Sequence, residues 1–204
     1  MIAKYALNGS QKNGMEANPS KFHFMIMSSQ PVGNVEICIT ENVKIVSESI
    51  VKVLGVFIDS RLTFNEHVKH SCVKAARQLN ALARISKFLT FKARKLIFRS
   101  FVMSNFSYCP LVWHFCGKKN NSKIEKIQER ALRIVCGDYT SSYEELITKV
   151  ETTSVLQSRI NCILLEVFKS INHTNPSYIQ NMIDITRGPY NYRNSIKLIQ
   201  PKKK

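Results

Sequence analysis

The sequence predicts an α+β chain: a small antiparallel sheet at the N-terminus followed by a mostly α-helical bundle. Three observations carry this. Up to about residue 58, β-branched and aromatic residues alternate with polar ones, the period of a half-buried strand. From Asn65 onward the apolar period lengthens to that of an amphipathic helix. The 204 residues hold seven Gly and six Pro, below the usual shares of about 7% and 5%, which favours long regular elements. With 44% hydrophobic and 22% charged residues, the chain has the balance of a folded protein, not of a disordered or low-complexity one.

The strands come first. Lys21 to Ser28 reads as one, with Phe22, Phe24 and Ile26 alternating. Val35, Ile37 and Ile39 alternate with Glu36 and Cys38. Val43 to Val46 and Ile50 to Ile58 are two further β-branched runs. Gly33-Asn34 and Glu41-Asn42 supply turn chemistry between them. Three or four antiparallel strands are expected.

The first long helix follows. Val68, Cys72, Ala75, Leu79, Leu82, Ile85 and Leu89 fall on one side and Lys69, Lys74, Arg77, Arg84 and Lys87 on the other, so its wet face is basic. Thr90 is a plausible N-cap for a helix from Phe91 to about Phe106. That helix is apolar nearly all round (Leu96, Ile97, Phe98, Phe101, Val102, Met103, Phe106), so it should be buried. Pro110 breaks the chain. Ser122-Lys123-Ile124-Glu125 reads as a capping box opening a helix through Ile127, Ala131, Ile134 and Val135, with Gly137 as its C′ residue. Ser142 and Glu145 repeat the cap for a short helix to about Val150. Ser154 to Ile171 is amphipathic, with Ile160, Ile163, Leu164, Val167, Phe168 and Ile171 clustered. Asn175-Pro176 fits an N-cap and N1 proline for a helix to Ile185. Beyond Arg187-Gly188-Pro189 the chain reads as an extended basic tail. Four segments follow: 1–59, 60–117, 118–186 and 187–204.

Thirty Lys and Arg against fourteen Asp and Glu leave +16, which points to a polyanionic partner, nucleic acid being the commonest. The charge is concentrated. From His67 to Ile124 there is no acid, while the same stretch holds Lys69, Lys74, Arg77, Arg84, Lys87, Lys92, Arg94, Lys95, Arg99, Lys118, Lys119 and Lys123. A single basic helix face is often just solvated. An acid-free block covering two helices and the start of a third is better explained as a phosphate-contacting surface. Phe88, Phe91, Phe98, Phe101, Phe106, Tyr108, Trp113 and Phe115 accompany it. Stacking on bases is one use for them, but their helical spacing among aliphatics favours core packing.

Other chemistry is sparse. Met1 to Gly9 has no apolar stretch of a secretory signal, and no apolar run reaches the roughly 18–20 residues of a membrane span. An intracellular protein with reduced thiols is therefore expected. Cys38, Cys72, Cys109, Cys116, Cys136 and Cys162 form no CxxC pair. Cys109, His114 and Cys116, and His67, His70 and Cys72, are close in sequence but lack paired zinc spacing, so packed cysteines with exposed histidines are expected and no metal or cofactor is assigned. Only Asp59, Asp138 and Asp184 are aspartates. No carboxylate pair suits a two-metal phosphoryl-transfer site, and no nucleotide, serine-hydrolase or zinc-protease motif is present.

Asn13 to Phe22 (NGMEANPSKF), Val53 to Asp59 (VLGVFID), Leu62 to His67 (LTFNEH), Tyr108 to Trp113 (YCPLVW), Gln128 to Val135 (QERALRIV) and Tyr190 to Asn194 (YNYRN), in this order and spacing, resemble the downstream part of non-LTR (LINE-type) retrotransposon reverse transcriptases, from about residue 7 to 200. The resemblance implies the end of a palm up to residue 59, a thumb gripping a template–primer duplex through phosphates, and the connector region that follows. It implies that Leu54 and Gly55 match the primer-grip turn, where Gly lets the main chain approach a strand closely. It implies that Lys21 matches a palm lysine that protonates leaving pyrophosphate; a solvated strand-edge lysine is the competing reading. The family's Tyr-x-Asp-Asp box is expected just ahead of Met1 and is not among these residues. The expectation is thus a fragment that binds RNA, DNA or their hybrid without polymerising alone, placed by the resemblance in the nucleus. Lys202 to Lys204 are a short basic end consistent with that. The alternative is a helical structural or protein-interaction module with an exposed apolar surface and no nucleic-acid function.

Overall fold

The computed structural model describes residues 18, 21–30, 32–40, 43–182, 185–187 and 196–198. The α+β reading holds. Strands β1 (Glu36–Thr40), β2 (Val43–Val46), β3 (Ile50–Val53) and β4 (Val56–Asp59) precede a helical bundle. They do not join into one sheet. β1 pairs antiparallel with β2, and β3 with β4, as two separate hairpins. The strand expected over Lys21 to Ser28 is not formed. Lys21 sits in a short turn, and the extended stretch after it accepts from Glu48 N–H at Phe24 O (2.7 Å) and donates from Ser28 N–H to Ser60 O (3.1 Å). Those contacts lie just outside β3 and β4, so the segment ties the hairpin's two ends instead of adding to its ladder. The Glu41-Asn42 turn lies outside the described residues.

Ile50 to Ile58, which reads as one β-branched run, folds back on itself. Val53 pairs with Val56, leaving a two-residue loop of Leu54 (φ 46°) and Gly55 (φ 88°). Two positive φ angles make the tight turn whose twist matches paired strands. Asp59 then sets the approach to the next element. Its carboxylate accepts from the N–H groups of Arg61, Thr63 and Phe64 and from the Thr63 hydroxyl at 2.6–3.2 Å.

Helix α1 (Asn65–Ile85) buries His67, Val68, Ser71, Ala75, Leu79 and Leu82, close to the stripe its periodicity implies. Thr90 caps α2 (Phe91–Ile97), its side chain accepting from Ala93 N–H. The chain continues through a π-type turn (Phe98–Val102) into α3 (Ser104–Ser107), then α4 (Pro110–Trp113). Between Phe91 and Phe106 only Phe98, Val102 and Phe106 are buried, and Trp113 joins them in α4. Leu96 and Phe101 are exposed, so the all-round apolar helix is not a central one. The π turn resets the helical phase, and a single face does the packing.

Helix α5 (Lys118–Cys136) starts four residues before Ser122, so the expected Ser122–Glu125 capping box does not form. Ser122 Oγ instead donates to Lys118 O. The boundary is Gly117, at φ 81°. The first turn is secured by Asn120, which is buried and donates to Asn65 Oδ1 (2.7 Å) and Cys116 O (2.8 Å). At the other end Gly137 takes the left-handed C-cap conformation (φ 66°), as expected. α6 (Tyr143–Val150) has the full Ser142–Glu145 capping box.

Helix α7 (Val155–Ile171) is capped by Ser154, which accepts from Gln157 N–H. Gln128 and Glu125 of α5 accept from Val155 N–H and Leu156 N–H, both at 2.9 Å. Three N-terminal donors of α7 are thereby satisfied, as a buried helix start requires. Arg159 is 1% exposed, its guanidinium carbon 4.6 Å above the Trp113 ring and its NH2 donating to Asn121 Oδ1. α7 thus docks through Val155, Arg159 and Ser170. Of the apolar cluster read from the sequence, Ile160, Ile163, Val167 and Ile171 are half-buried, and Leu164 and Phe168 are exposed. α8 (Ser177–Gln180) has Pro176, not Asn175, at its N-cap and ends before Ile185. Ile185–Arg187, where that helix is expected to end, instead forms β5, antiparallel to β6 (Ile196–Leu198), which lies in the region expected to be an extended tail. Residues 188–195 and those after 198 lie outside the described residues.

The core runs from Val56, Phe64, Leu79 and Leu82 through Phe98, Val102 and Trp113 to Ile124, Leu132, Val135, Leu146 and Val150. Burial of each large apolar side chain contributes roughly 1.5–3 kcal/mol. No helix among the described residues is long and apolar enough to cross a membrane.

Candidate functional site

The β3–β4 turn projects over the N-terminal half of α1. Leu54 is 85% exposed, yet its carbonyl accepts from the Tyr108 hydroxyl at 2.6 Å. A Cβ on Gly55 would lie 3.6 Å from the Tyr108 ring, an ordinary contact. Glycine is therefore required there by its φ, not by space. Between this turn, α1 and α3 lies a cleft of about 460 Å³ lined by Lys52, Leu54, Gly55, His67, His70, Ser71, Lys74, Ser104, Asn105 and Tyr108. No carboxylate lines it. Two lysines, two histidines, hydroxyls and a tight turn make a seat for an anion, such as a phosphodiester.

The cleft floor is held by aromatic contacts. The Phe57 and His70 rings lie 5.0 Å apart, and Lys52 Nζ sits 5.3 Å from the Phe57 ring centre. His67 is 5% exposed, accepts from Phe57 N–H at Nδ1 and lies 5.7 Å from Trp113. Its Nε2 is buried without a protein partner. Burial, with His70 beside it, holds its pKa below the ordinary imidazole value. The ring is therefore neutral at neutral pH, with its proton on Nε2.

A second basic surface lies across α1. α1 and α5 run side by side in the same direction, joined by Asn120 to Asn65 near their starts and by Arg130 NH2 to Asn80 Oδ1 (2.9 Å) further along. Lys119, Lys123, Lys126 and Arg130 are exposed at intervals of four, three and four, one stripe of α5. Lys123 also acts on Cys72 of α1. Burial pushes that thiol up to about 11 against the pull of the lysine. Cys72 is thus a protonated packing group at neutral pH. Glu125 and Glu129 of α5 point elsewhere, Glu125 to α7 and Tyr143, and Glu129 to Arg133 (2.7 Å).

The expected cations therefore divide. Lys74 enters the cleft. Arg77, Lys92, Lys118, Lys119 and Lys123 are exposed with no ion pair among the described residues. Lys69 pairs loosely with Glu66 (3.3 Å), Arg84 donates to Asn80 O, and Lys87 lies 4.9 Å from the exposed Phe88 ring. Arg94, Lys95 and Arg99 have structural partners. Arg94 NH1 donates to Ile134 O at the end of α5. Lys95 Nζ and Arg99 NH2 reach the Glu151 carboxylate (2.7 Å) and carbonyl (2.9 Å). Leu54 and Gly55 form the turn at the cleft mouth, while Lys21 is exposed and not among the cleft's lining residues. Lys52, His67, His70 and Tyr108 join the cleft, and Lys126 and Arg130 the stripe, without being singled out by the sequence as binding residues. The spacing of the α5 stripe was a usable signal once the helix start is placed at Lys118. Among the described residues no three His, Cys, Asp or Glu side chains cluster as metal ligands would.

Over 98 residues the chain is 30% identical to a Drosophila melanogaster protein named probable RNA-directed DNA polymerase from transposon BS. The match covers 47% of this chain and 11% of that protein, so only a small part of the relative's length is represented. It supports a reverse-transcriptase-like relationship. No family model matches, and no solved structure matches.

Proposed function

We propose that this chain is the end of the palm, the thumb and the following region of a non-LTR-type reverse transcriptase, and that it grips RNA, DNA or an RNA–DNA hybrid through phosphates. The observation that carries this is the carboxylate-free cleft beneath the Leu54-Gly55 turn, opening onto α1 and its basic residues. Lys52 and Lys74 would neutralise phosphates there, and the turn would bring backbone close to a strand. The Lys119–Arg130 stripe would follow the duplex on the far side of α1. A nuclear site of action goes with this reading.

Polymer synthesis is assigned to no residue of this sequence. Among the described residues the carboxylates do not gather as a two-metal centre requires. Asp59 is occupied by backbone donors of its own loop. Asp138 is held by Ser141, Thr140 and Lys149.

The test is anisotropy with a labelled RNA–DNA hybrid. Lys74→Glu and Lys123→Glu should each weaken binding uniformly across sequences and lower the salt slope by about one or more. Lys95→Ala, in the structural group, should leave it unchanged. Unchanged affinity in Lys74→Glu and Lys123→Glu overturns the reading.

A further inference from the structure

Phe88 stands 78% exposed at the corner between α1 and α2. Local hydrogen bonds hold the corner. Ser86 Oγ donates to Ala83 O (2.8 Å), Leu89 N–H donates to Ser86 O (3.1 Å), and Thr90 caps α2. A single 3₁₀ turn, Ser86–Phe88, ends the phase of α1. Leu89 then packs against the core, and Phe88 is left in water. Ile85 and Phe91, three residues to either side, are also exposed. One exposed apolar side chain is ordinary. Three about one tight corner call for a partner.

The surrounding charges give the partner's chemistry. Lys87 Nζ lies 4.9 Å from the centre of the Phe88 ring. Arg84 and Lys92 flank it in sequence and are exposed. None of these three cations has an ion pair among the described residues. Acids from other elements are engaged elsewhere, Glu129 with Arg133 and Glu151 with Lys95. An apolar protein partner would bury the cations without counter-charge. A nucleotide suits both features, its base stacking on the ring and its phosphates meeting the cations. Bases inside a duplex are stacked on one another, so the nucleotide must be unpaired.

The corner also continues the basic stripe of α5. Asn80 accepts from Arg130 NH2 at its Oδ1 (2.9 Å) and from Arg84 Nε at its carbonyl (3.4 Å). The last cation of the stripe and the first of the corner are thus held by one residue, little more than a turn before α1 ends. We propose that this corner, Phe88 with Arg84, Lys87 and Lys92, is a stacking site for unpaired nucleotides that extend from a duplex lying along the stripe. The proposal rests on the nucleic-acid reading above and adds to it a preference for a duplex with a single-stranded end.

The experiment is anisotropy of the full chain with three labelled probes: a blunt RNA–DNA hybrid, the same hybrid with an extension of about five nucleotides, and the extension strand alone. The extended hybrid should bind about tenfold tighter than the blunt one, within the roughly five- to hundredfold that one stacked base supplies. Phe88→Ala should cost the extended hybrid about fivefold and the blunt one less than twofold, with helical circular dichroism unchanged. Phe88→Trp should keep the gain. Phe168→Ala, at an exposed aromatic of α7, should also keep it, and Lys123→Glu should weaken both hybrids alike. An extension that adds nothing, a gain that survives Phe88→Ala, or an equal loss in Phe168→Ala overturns the stacking site while the grip on the duplex stands. A blunt hybrid that does not bind overturns that grip instead. The strand alone then decides the corner: binding that Phe88→Ala weakens supports it, and binding that is absent or unchanged overturns it.

Discussion

Leu54 carries the sharpest conflict between residue and position. It is a large apolar side chain, mostly exposed, at φ 46° in a turn that prefers Asn or Gly. Left-handed backbone costs a non-glycine residue about 1–2 kcal/mol. Leu54→Asn should therefore raise stability by roughly 1 kcal/mol, read as a shift of the urea midpoint at constant m-value. A lower midpoint would mean that the leucine makes contacts outweighing its strain. The turn was legible in the sequence only through resemblance. By pattern alone Ile50 to Ile58 is one β-branched run, because nothing in Leu-Gly announces a two-residue turn as Asn-Gly would.

Histidines set the acid response. Burial holds both His67 and His114 below the ordinary imidazole value, with His70 and Arg159 adding to it respectively. Their folded pKa values lie below the unfolded value of about 6.5, so the unfolded chain takes up protons first as pH falls. The stability they contribute is full above that value and is lost as pH drops towards their folded values. Urea unfolding at pH 7.5 and 5.5 should show the loss, and His67→Gln should reduce it. Asp59 acts in a lower window. Burial pushes its carboxyl up, but the Thr63, Phe64 and Arg61 donors together outweigh burial and hold it below the ordinary value. Its contribution is present above about pH 4 and fades below.

At the scale of elements, caps that depend on neighbouring residues were readable and caps that depend on tertiary contacts were not. Thr90 and Ser142 satisfy donors three residues away and behave as their motifs imply. Ser122 has the same motif, yet Asn120 extends the helix by reaching Asn65, far away in sequence. The outward face of α7 was hidden for a related reason. An apolar stripe tells which residues share a face but not whether that face turns inward, and here a buried arginine over Trp113 fixes the rotation. Gln128 is the polar joint between α5, α6 and α7. Its Nε2 donates to Thr153 O, and its Oε1 accepts from Val155 N–H and lies 2.8 Å from the Tyr143 hydroxyl. Gln128→Leu should destabilise by about 2–3 kcal/mol, because the buried N–H of Val155 loses its acceptor. A change under about 0.5 kcal/mol in denaturant unfolding would remove it from that role.

At the scale of the molecule, the concentration of charge was plain from the sequence, but its division between jobs was not. Composition counts Arg94, Lys95 and Arg99 equally with Lys74 and Lys123. Only the fold brings Ile134 and Glu151 to the first three and leaves the others open. What remains is a carboxylate-free cleft and a lysine stripe, both bordering α1. Several phosphates neutralised together displace several counterions, so affinity must fall steeply with salt. The most direct measurement is the binding constant for an RNA–DNA hybrid duplex at four or five salt concentrations. A log–log plot with a slope of about −4 or steeper, at roughly −0.9 per phosphate contact on a B-form duplex, is the predicted result. A slope near zero, or no binding at low salt, would contradict it.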